Sequence, residues 1–243
     1  MSIIDTLLNS LQADAPVRQV VVGAFWTAVV LDPEPYRCGL ASTLRAETHH
    51  EGPPVRGPGR LGEHSGRELA EWLQSPRILE ASIGMAAFNA LLEVDESACT
   101  ELNAEKVIVQ RGAGRRVAVV GHFPFVEQVR QAADVCWVLE LHPRPGDLSA
   151  AHAEEVLPQA DVVALTGTSL LNHTFDDLIA LCRPDAFVVL LGASAPLSPV
   201  LLEHGVDAIS GTKVADVPAV LGAVSEGATF RQIPGKRLLT MMR

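Results

Sequence analysis

"RVAVVGHFPFVE", residues 116–127, reads as a buried strand that stops at Gly121-His122 and gives way to a helix started by Pro124. Its valines and Ala118 form an unbroken apolar run, the pattern of a strand covered by helices on both faces. Proline suits the first helical turn, where a missing N–H leaves no hydrogen bond unmade.

The same grammar recurs downstream. "DVCWVLEL" is a strand and "SAAHAEEVLPQA" a helix with Ser149 at its N-cap; "DVVALTGT" is a strand and "HTFDDLIALC" a helix. "AFVVLLGAS" is a strand and "SPVLLEHG" a short helix ended by Gly205, with Ser198 as its cap; "VDAISG" is a fifth strand, followed by the helix-like "VADVPAVLGAVSEG". Alternation of this kind predicts a Rossmann-like, doubly wound and mostly parallel sheet over residues 106–243.

Residues 1–105 are written differently. "MSIIDTLLNSLQAD" places Ile3, Ile4, Leu7, Leu8 and Leu11 on one helical face. "VRQVVVGAFWTAVVLD" holds two β-rich runs with a turn near Gly23, and "YRCGLASTL" is a third strand. "ETHHEGPPVRGPGRLGEHSG" is loop by its Gly and Pro content, and two helical patterns follow, "GRELAEWLQS" and "RILEASIGMAAFNALLEV". Strands followed by helices predict a smaller α+β domain ahead of the parallel sheet, with the break at residues 105/106.

With 48% hydrophobic and 20% charged residues in 243, the chain is that of a folded globular protein. Its longest apolar run, Val20 to Leu31, is too short to cross a bilayer, and the N-terminal stretch lacks the pattern of a signal peptide, so a cytoplasmic protein is expected. The formal net charge of −10 argues against nucleic acid and anionic membrane as partners. Cys38, Cys99, Cys136 and Cys182 form no C-x-x-C pair, which argues against a structural zinc site of the usual spacing; Cys38 is the one to test for reactivity. The hairpin around Val20–Leu31 offers an edge strand through which a homodimer could form.

Ligands of open α/β sheets bind beyond the carboxyl ends of the strands. Those ends deliver Gly121 and His122; Glu140 and His142; Thr166, Gly167, Thr168, Asn172 and His173; Gly192, Ser194 and Pro196; and Ser210, Gly211, Thr212 and Lys213. Glu140 lies 19 residues beyond Gly121, near the spacing at which a carboxylate meets a ribose. Yet the turn is "GHFPF", not G-x-G-x-x-G, which disfavours a dinucleotide while leaving a nucleoside or S-adenosylmethionine open. Imidazole and carboxylate supply from His122, Glu127, Glu140, His142 and His173, with His49, His50 and His64 from the Gly/Pro loop, suits a transition metal. Equally, His173 could serve a helix start, His49-His50 could be a solvated pair, the threonines could be turn residues, and Lys213 could face water. His152 and His204 read as ordinary helix residues.

Taken in order, "CGLAST", "GHFPFVE", "TGTSLLNHTFDDL" and "LLGASAPLSPVLLEHGVDAISGTKV" resemble the bacterial and archaeal family of heavy-metal chelation proteins. The resemblance covers the whole second half and is thinner over the first. It implies an enolase N-terminal-like α+β domain followed by a Rossmann-like domain, with the site in the cleft between them. By matching position it implies Gly121, His122, Thr166, Thr168, Asn172, His173, Ser194 and Gly211 to Lys213 as cleft residues; Glu140 is added from the strand argument. The expected function is binding of a transition or heavy metal ion, or a metal complex, with His122 and His173 as metal ligands. The alternative is an enzyme on a small molecule with a nucleoside-type cofactor such as S-adenosylmethionine.

Overall fold

The computed structural model describes residues 2–45 and 52–243. Helix α1 (Ile3–Ser10) buries Ile3, Ile4, Leu7 and Leu8, and Ser2 and Asp5 close a reciprocal cap at its start. Strands β1 (Val17–Val22), β2 (Trp26–Leu31) and β3 (Arg37–Ser42) form an antiparallel meander with β2 in the centre. Thr27 to Leu31 are all buried, because this small sheet is covered on both faces. Helix α2 (Gly66–Ala70) leads to α3 (Ile78–Leu91), which lies so close to β3 that a Cβ on Gly39 would stand 2.1 Å from the Ala86 carbonyl oxygen.

The remainder forms one large sheet. In chain order it contains β4 (Cys99–Thr100), α4 (Ala104–Gly112), β5 (Arg116–Val120), α5 (Val126–Ala132), β6 (Val135–Glu140), β7 (Leu148–Ser149) and α6 (Ala153–Val156). It continues with β8 (Val162–Thr166), α7 (Thr168–Leu171), α8 (Phe175–Leu181), β9 (Phe187–Leu191), α9 (Pro199–Glu203), β10 (Ala208–Val214), α10 (Val217–Ser225) and β11 (Lys236–Met242). The strand order is β4-β11-β10-β9-β8-β5-β6-β7, parallel from β10 to β7 and antiparallel at β11 and β4. The chain therefore leaves β5 towards β6 and later returns to its other side at β8. Strand order reverses there, and the crevice of a doubly wound sheet opens beyond the ends of β5 and β8. Both parts of the expected fold class are present, the parallel sheet and the smaller α+β unit before it.

Several local expectations are corrected. Pro124 precedes α5 rather than starting it, since the first helical residue is Val126. Ser149 does bond to the Ala151 N–H, but it caps a short 3-10 turn before α6, and Ser198 stands at the start of α9 without a side-chain cap bond. Ser210 to Lys213 lie inside β10 instead of beyond it, because antiparallel pairing with β11 carries the strand on to Val214. Helix α4 and strand β11 had no counterpart in the sequence reading. Burial pushes the Cys38 thiol up to about 12, so it is not a reactive thiolate. Among the described residues no helix is long and apolar enough to cross a membrane. His49 and His50 lie outside the described residues.

At the amino ends of the parallel strands one carboxylate ties three elements. Asp161 accepts the Arg116 backbone N–H, pairs with both Nε and Nη2 of that guanidinium at 3.1 and 2.8 Å, and meets Arg183 at 3.1 Å. Its own backbone bonds to Arg116 and Phe187, so the entries to β5, β8 and β9 meet there. The Arg116 guanidinium, its backbone amide and Arg183 hold the Asp161 carboxyl well below the ordinary range. A lowered folded value means that this stabilisation is full at neutral pH and is lost as pH falls below about 4, the unfolded value. Asp161→Asn should therefore melt below the parent at neutral pH, with the gap closing as acid is added. Thermal melts across that range read this directly, and a gap that does not change with pH would contradict it.

Candidate functional site

Gly121 ends β5 with φ at +102°, a conformation that lets the chain turn sharply beside Thr166, whose Cβ would be 3.1 Å from a Cβ at 121. Its N–H bonds to the Leu139 carbonyl, which keeps the turn in register with β6. Glu140, at the end of β6, then fixes the next residue: Oε1 accepts the His122 backbone N–H at 2.6 Å while Oε2 accepts the Leu141 N–H at 3.1 Å. Glu140 is thus a clamp on the β5 turn.

The His122 ring is held from behind. Nδ1 lies 2.9 Å from Oδ2 of Asp147, whose side chain is 0% exposed. The second Asp147 oxygen meets Arg130 at 3.1 Å, and the Arg144 N–H bonds to Oδ2. Burial opposes ionisation of Asp147, but the hydrogen bonds from His122 and the Arg144 amide, with the nearby charges of His122 and Arg130, outweigh it and hold the carboxyl below its ordinary value. An ionised carboxylate can only accept, so Nδ1 carries a proton, and whenever the ring is neutral Nε2 keeps the lone pair. This is the arrangement that prepares an imidazole to act as acceptor, base or metal ligand.

Beyond the ends of β5, β6 and β8 lies a cavity of about 440 Å³ lined by Gly121, His122, Glu140, Thr166, Thr168 and Asn172, together with Asp177 of α8. Most of the residues expected from the sequence meet here. Thr166 and Thr168 join their hydroxyls at 2.9 Å, and Asn172 is tied to Thr174 within its own turn at 2.8 Å. Among the described residues all of the wall comes from 120–181, so the smaller unit, expected to share the site in a cleft between the halves, contributes no described residue here.

The other expected residues are elsewhere. His173, at φ +61° the one non-glycine with positive φ among the described residues, sends Nε2 to the Leu73 carbonyl at 2.8 Å and lines a different cavity, beside Ser2 and Gln74. Because a carbonyl only accepts, that nitrogen carries a proton and has no lone pair to offer. Ser194, 1% exposed, accepts the Ser42 N–H at 2.8 Å and joins the two sheets. Lys213 pairs with Glu96. His64 lies against Glu68 and Trp72, Glu127 pairs with Arg130, and His152 and His204 bond to nearby carbonyls of their own turns.

A heavy metal needs several donors at one point. Among the described residues no three His, Cys, Asp or Glu side chains stand together, and both carboxylates near His122 are already committed to N–H groups. The described residues therefore do not fit a bare ion; they present one oriented imidazole at the mouth of a polar cavity. Asp147 was missed in the sequence because it lies in "HPRPGDL", a turn with no spacing that links it to His122.

Asp147→Asn should cost about 1–3 kcal/mol in urea unfolding, since it removes the acceptor shared by His122 and Arg130. The loss should shrink as pH falls below about 4, because the unfolded parent takes up a proton there while the folded carboxyl, held lower, is protonated only in stronger acid. Equal stability at neutral pH would show that the carboxylate does not hold the ring.

The sequence profile of the DUF364 family, described as "Putative heavy-metal chelation", matches residues 103–243, and that of DUF4213, with the same description, matches residues 4–92. An uncharacterized protein of Methanocaldococcus jannaschii is 29% identical over 194 residues, 75% of this chain and 72% of its own. The crystal structure of a protein of unknown function from the DUF364 family of Desulfitobacterium hafniense aligns over 99% of this chain and 98% of its own, with TM-score 0.86 and 26% identity. A second DUF364 protein of unknown function, from Pyrococcus horikoshii, aligns over the same shares with TM-score 0.84 and 19% identity, a likeness of fold alone. With more than half of its length matched by that profile and its fold shared throughout, the chain belongs to the DUF364 family described as "Putative heavy-metal chelation".

Proposed function

We propose that the chain binds a heavy metal in the form of a small organic complex, whose own donors hold the ion, in the cavity beyond β5, β6 and β8. One observation carries this reading: His122 is oriented by a buried carboxylate that takes Nδ1, which leaves Nε2 as the acceptor of the neutral ring, while among the described residues no three His, Cys, Asp or Glu side chains stand together. A site built to strip and hold a bare ion would need more donors than these. The hydroxyls of Thr166 and Thr168 and the Asn172 amide offer the hydrogen bonding that a polar organic ligand requires. In this reading residues 106–243 build the pocket, and residues 1–105 brace it through the Ser42–Ser194 and Leu73–His173 joints. The role is metal handling.

A second reading keeps a nucleoside-type cofactor such as S-adenosylmethionine, because Glu140 ends the strand next to β5 at the position where a ribose is met. Its oxygens already accept two backbone N–H groups, which leaves it less to offer a hydroxyl.

Titration calorimetry separates the two. Nickel bound to two histidine molecules should bind the parent chain, whereas nickel chloride should bind at least tenfold more weakly. His122→Ala should lose the complex by about tenfold or more. Tight binding of the bare ion, unaffected by His122→Ala, would overturn the proposal. Binding of S-adenosylmethionine that survives His122→Ala but fails in Glu140→Ala would replace it with the second reading.

A further inference from the structure

The wall of the cavity beyond β5, β6 and β8 carries one sign of charge. Three carboxylates line it: Glu140 at the end of β6, Glu154 in the first turn of α6 and Asp177 in the first turn of α8. Among the described residues no Lys or Arg lines it. The remaining ionisable group of the wall is His122, whose Nδ1 is taken by Asp147, so its neutral ring offers the cavity an electron pair. Arg130 already balances Asp147, whereas the amide bonds to Glu140 place that carboxylate without cancelling its charge.

This bias is local. His122 also borders a second cavity on its other side, and there the wall holds Glu105 and Arg231, one charge of each sign. Glu154 and Asp177 are exposed, and a carboxylate in a first turn favours its own helix wherever it points. Helix formation does not require that α6 and α8 bring their carboxylates to one cavity, facing an imidazole whose lone pair is equally suited to an electron-poor partner. Leu178 and Leu181 stand beside them, and an apolar wall concentrates the field of like charges in the space between.

We infer that this cavity selects a cationic metal complex, one whose donors are neutral amines or imidazoles, over neutral and anionic complexes of the same ion, with Glu154 and Asp177 as the residues that set the choice. The inference rests on the reading that the cavity takes a metal complex at His122, and adds the charge of that complex. Glu140 contributes to the same field but is needed for the turn.

Three nickel complexes separate charge from metal. Nickel bound to two histamine molecules is cationic. Nickel bound to two histidine molecules offers the same imidazole and amine donors, but its two carboxylates make it neutral; nickel nitrilotriacetate is anionic. Titration calorimetry of the full chain at low salt should show the histamine complex binding about tenfold more tightly than the histidine complex, with nitrilotriacetate weaker still. Added salt should narrow the gap, because the two selecting carboxylates are exposed. Glu154→Gln combined with Asp177→Asn should remove the preference. Glu71→Gln combined with Glu226→Gln, which neutralises two exposed carboxylates outside this wall, should keep it. Equal affinity of the parent for the cationic and neutral complexes, a preference that survives the first double variant, or one lost equally in the second would overturn the inference. Binding that ignores charge but is lost in His122→Ala would remove the selection and leave the metal-complex reading standing. No binding of any of the three, or binding untouched by His122→Ala, would overturn both.

Discussion

Asp147 holds the His122 ring by Nδ1 from a position with no exposed side-chain surface, and the rest of the candidate site is arranged around that contact. The imidazole stands where two cavities meet, with its backbone clamped by Glu140 and its ring fixed by Asp147. Two carboxylates in distinct roles thus remove the freedom that a histidine at a strand end would otherwise have. Arg130 completes the arrangement by balancing the charge of Asp147, so the pair is not an isolated buried ion pair. The sheet supplies the rest: strand order reverses at β5, and a crevice must open beside the residue that follows Gly121.

The smaller α+β unit stabilises this edge, and none of its described residues lines the first cavity. Ser194 is buried against Ser42, Asn89 donates to the carbonyls of both Leu40 and Ala193, and His173 reaches Leu73. These are polar joints set among apolar packing of Ala28 and Leu40 against Ala193, Val220 and Val224. Each of these groups finds a partner across the junction, which favours one relative placement of the two sheets. Trp26 is the point at which the smaller unit reaches into a cavity of the larger one.

Much of the fold was legible because it rests on local pattern. Continuous valine-rich runs marked β5, β6, β8 and β9, and the face of Ile3, Ile4, Leu7 and Leu8 marked α1. Strand β11 escaped notice because its pairing with β10 spans distant residues, and that same pairing moved Lys213 from a loop into a strand. The site was legible in the same measure. Gly121, His122, Glu140, Thr166, Thr168 and Asn172 meet because they follow strands that the topology places side by side. His173 and Ser194 also follow strands, but their side chains are spent on joining the two halves, which no spacing rule reveals. Asp147 was hidden for the converse reason: its turn carries no periodic signal, and only the path of the chain after β6 brings it to His122.

The most direct test is the tautomer of His122, read from the ring nitrogen shifts in a long-range proton–nitrogen NMR spectrum of the labelled protein near neutral pH. Within the neutral form of the ring the proton should sit on Nδ1 with Nε2 bare, and that preference should be lost in Asp147→Asn. A proton resting on Nε2, or a spectrum unchanged by Asp147→Asn, would show that the carboxylate does not prepare this imidazole for a ligand.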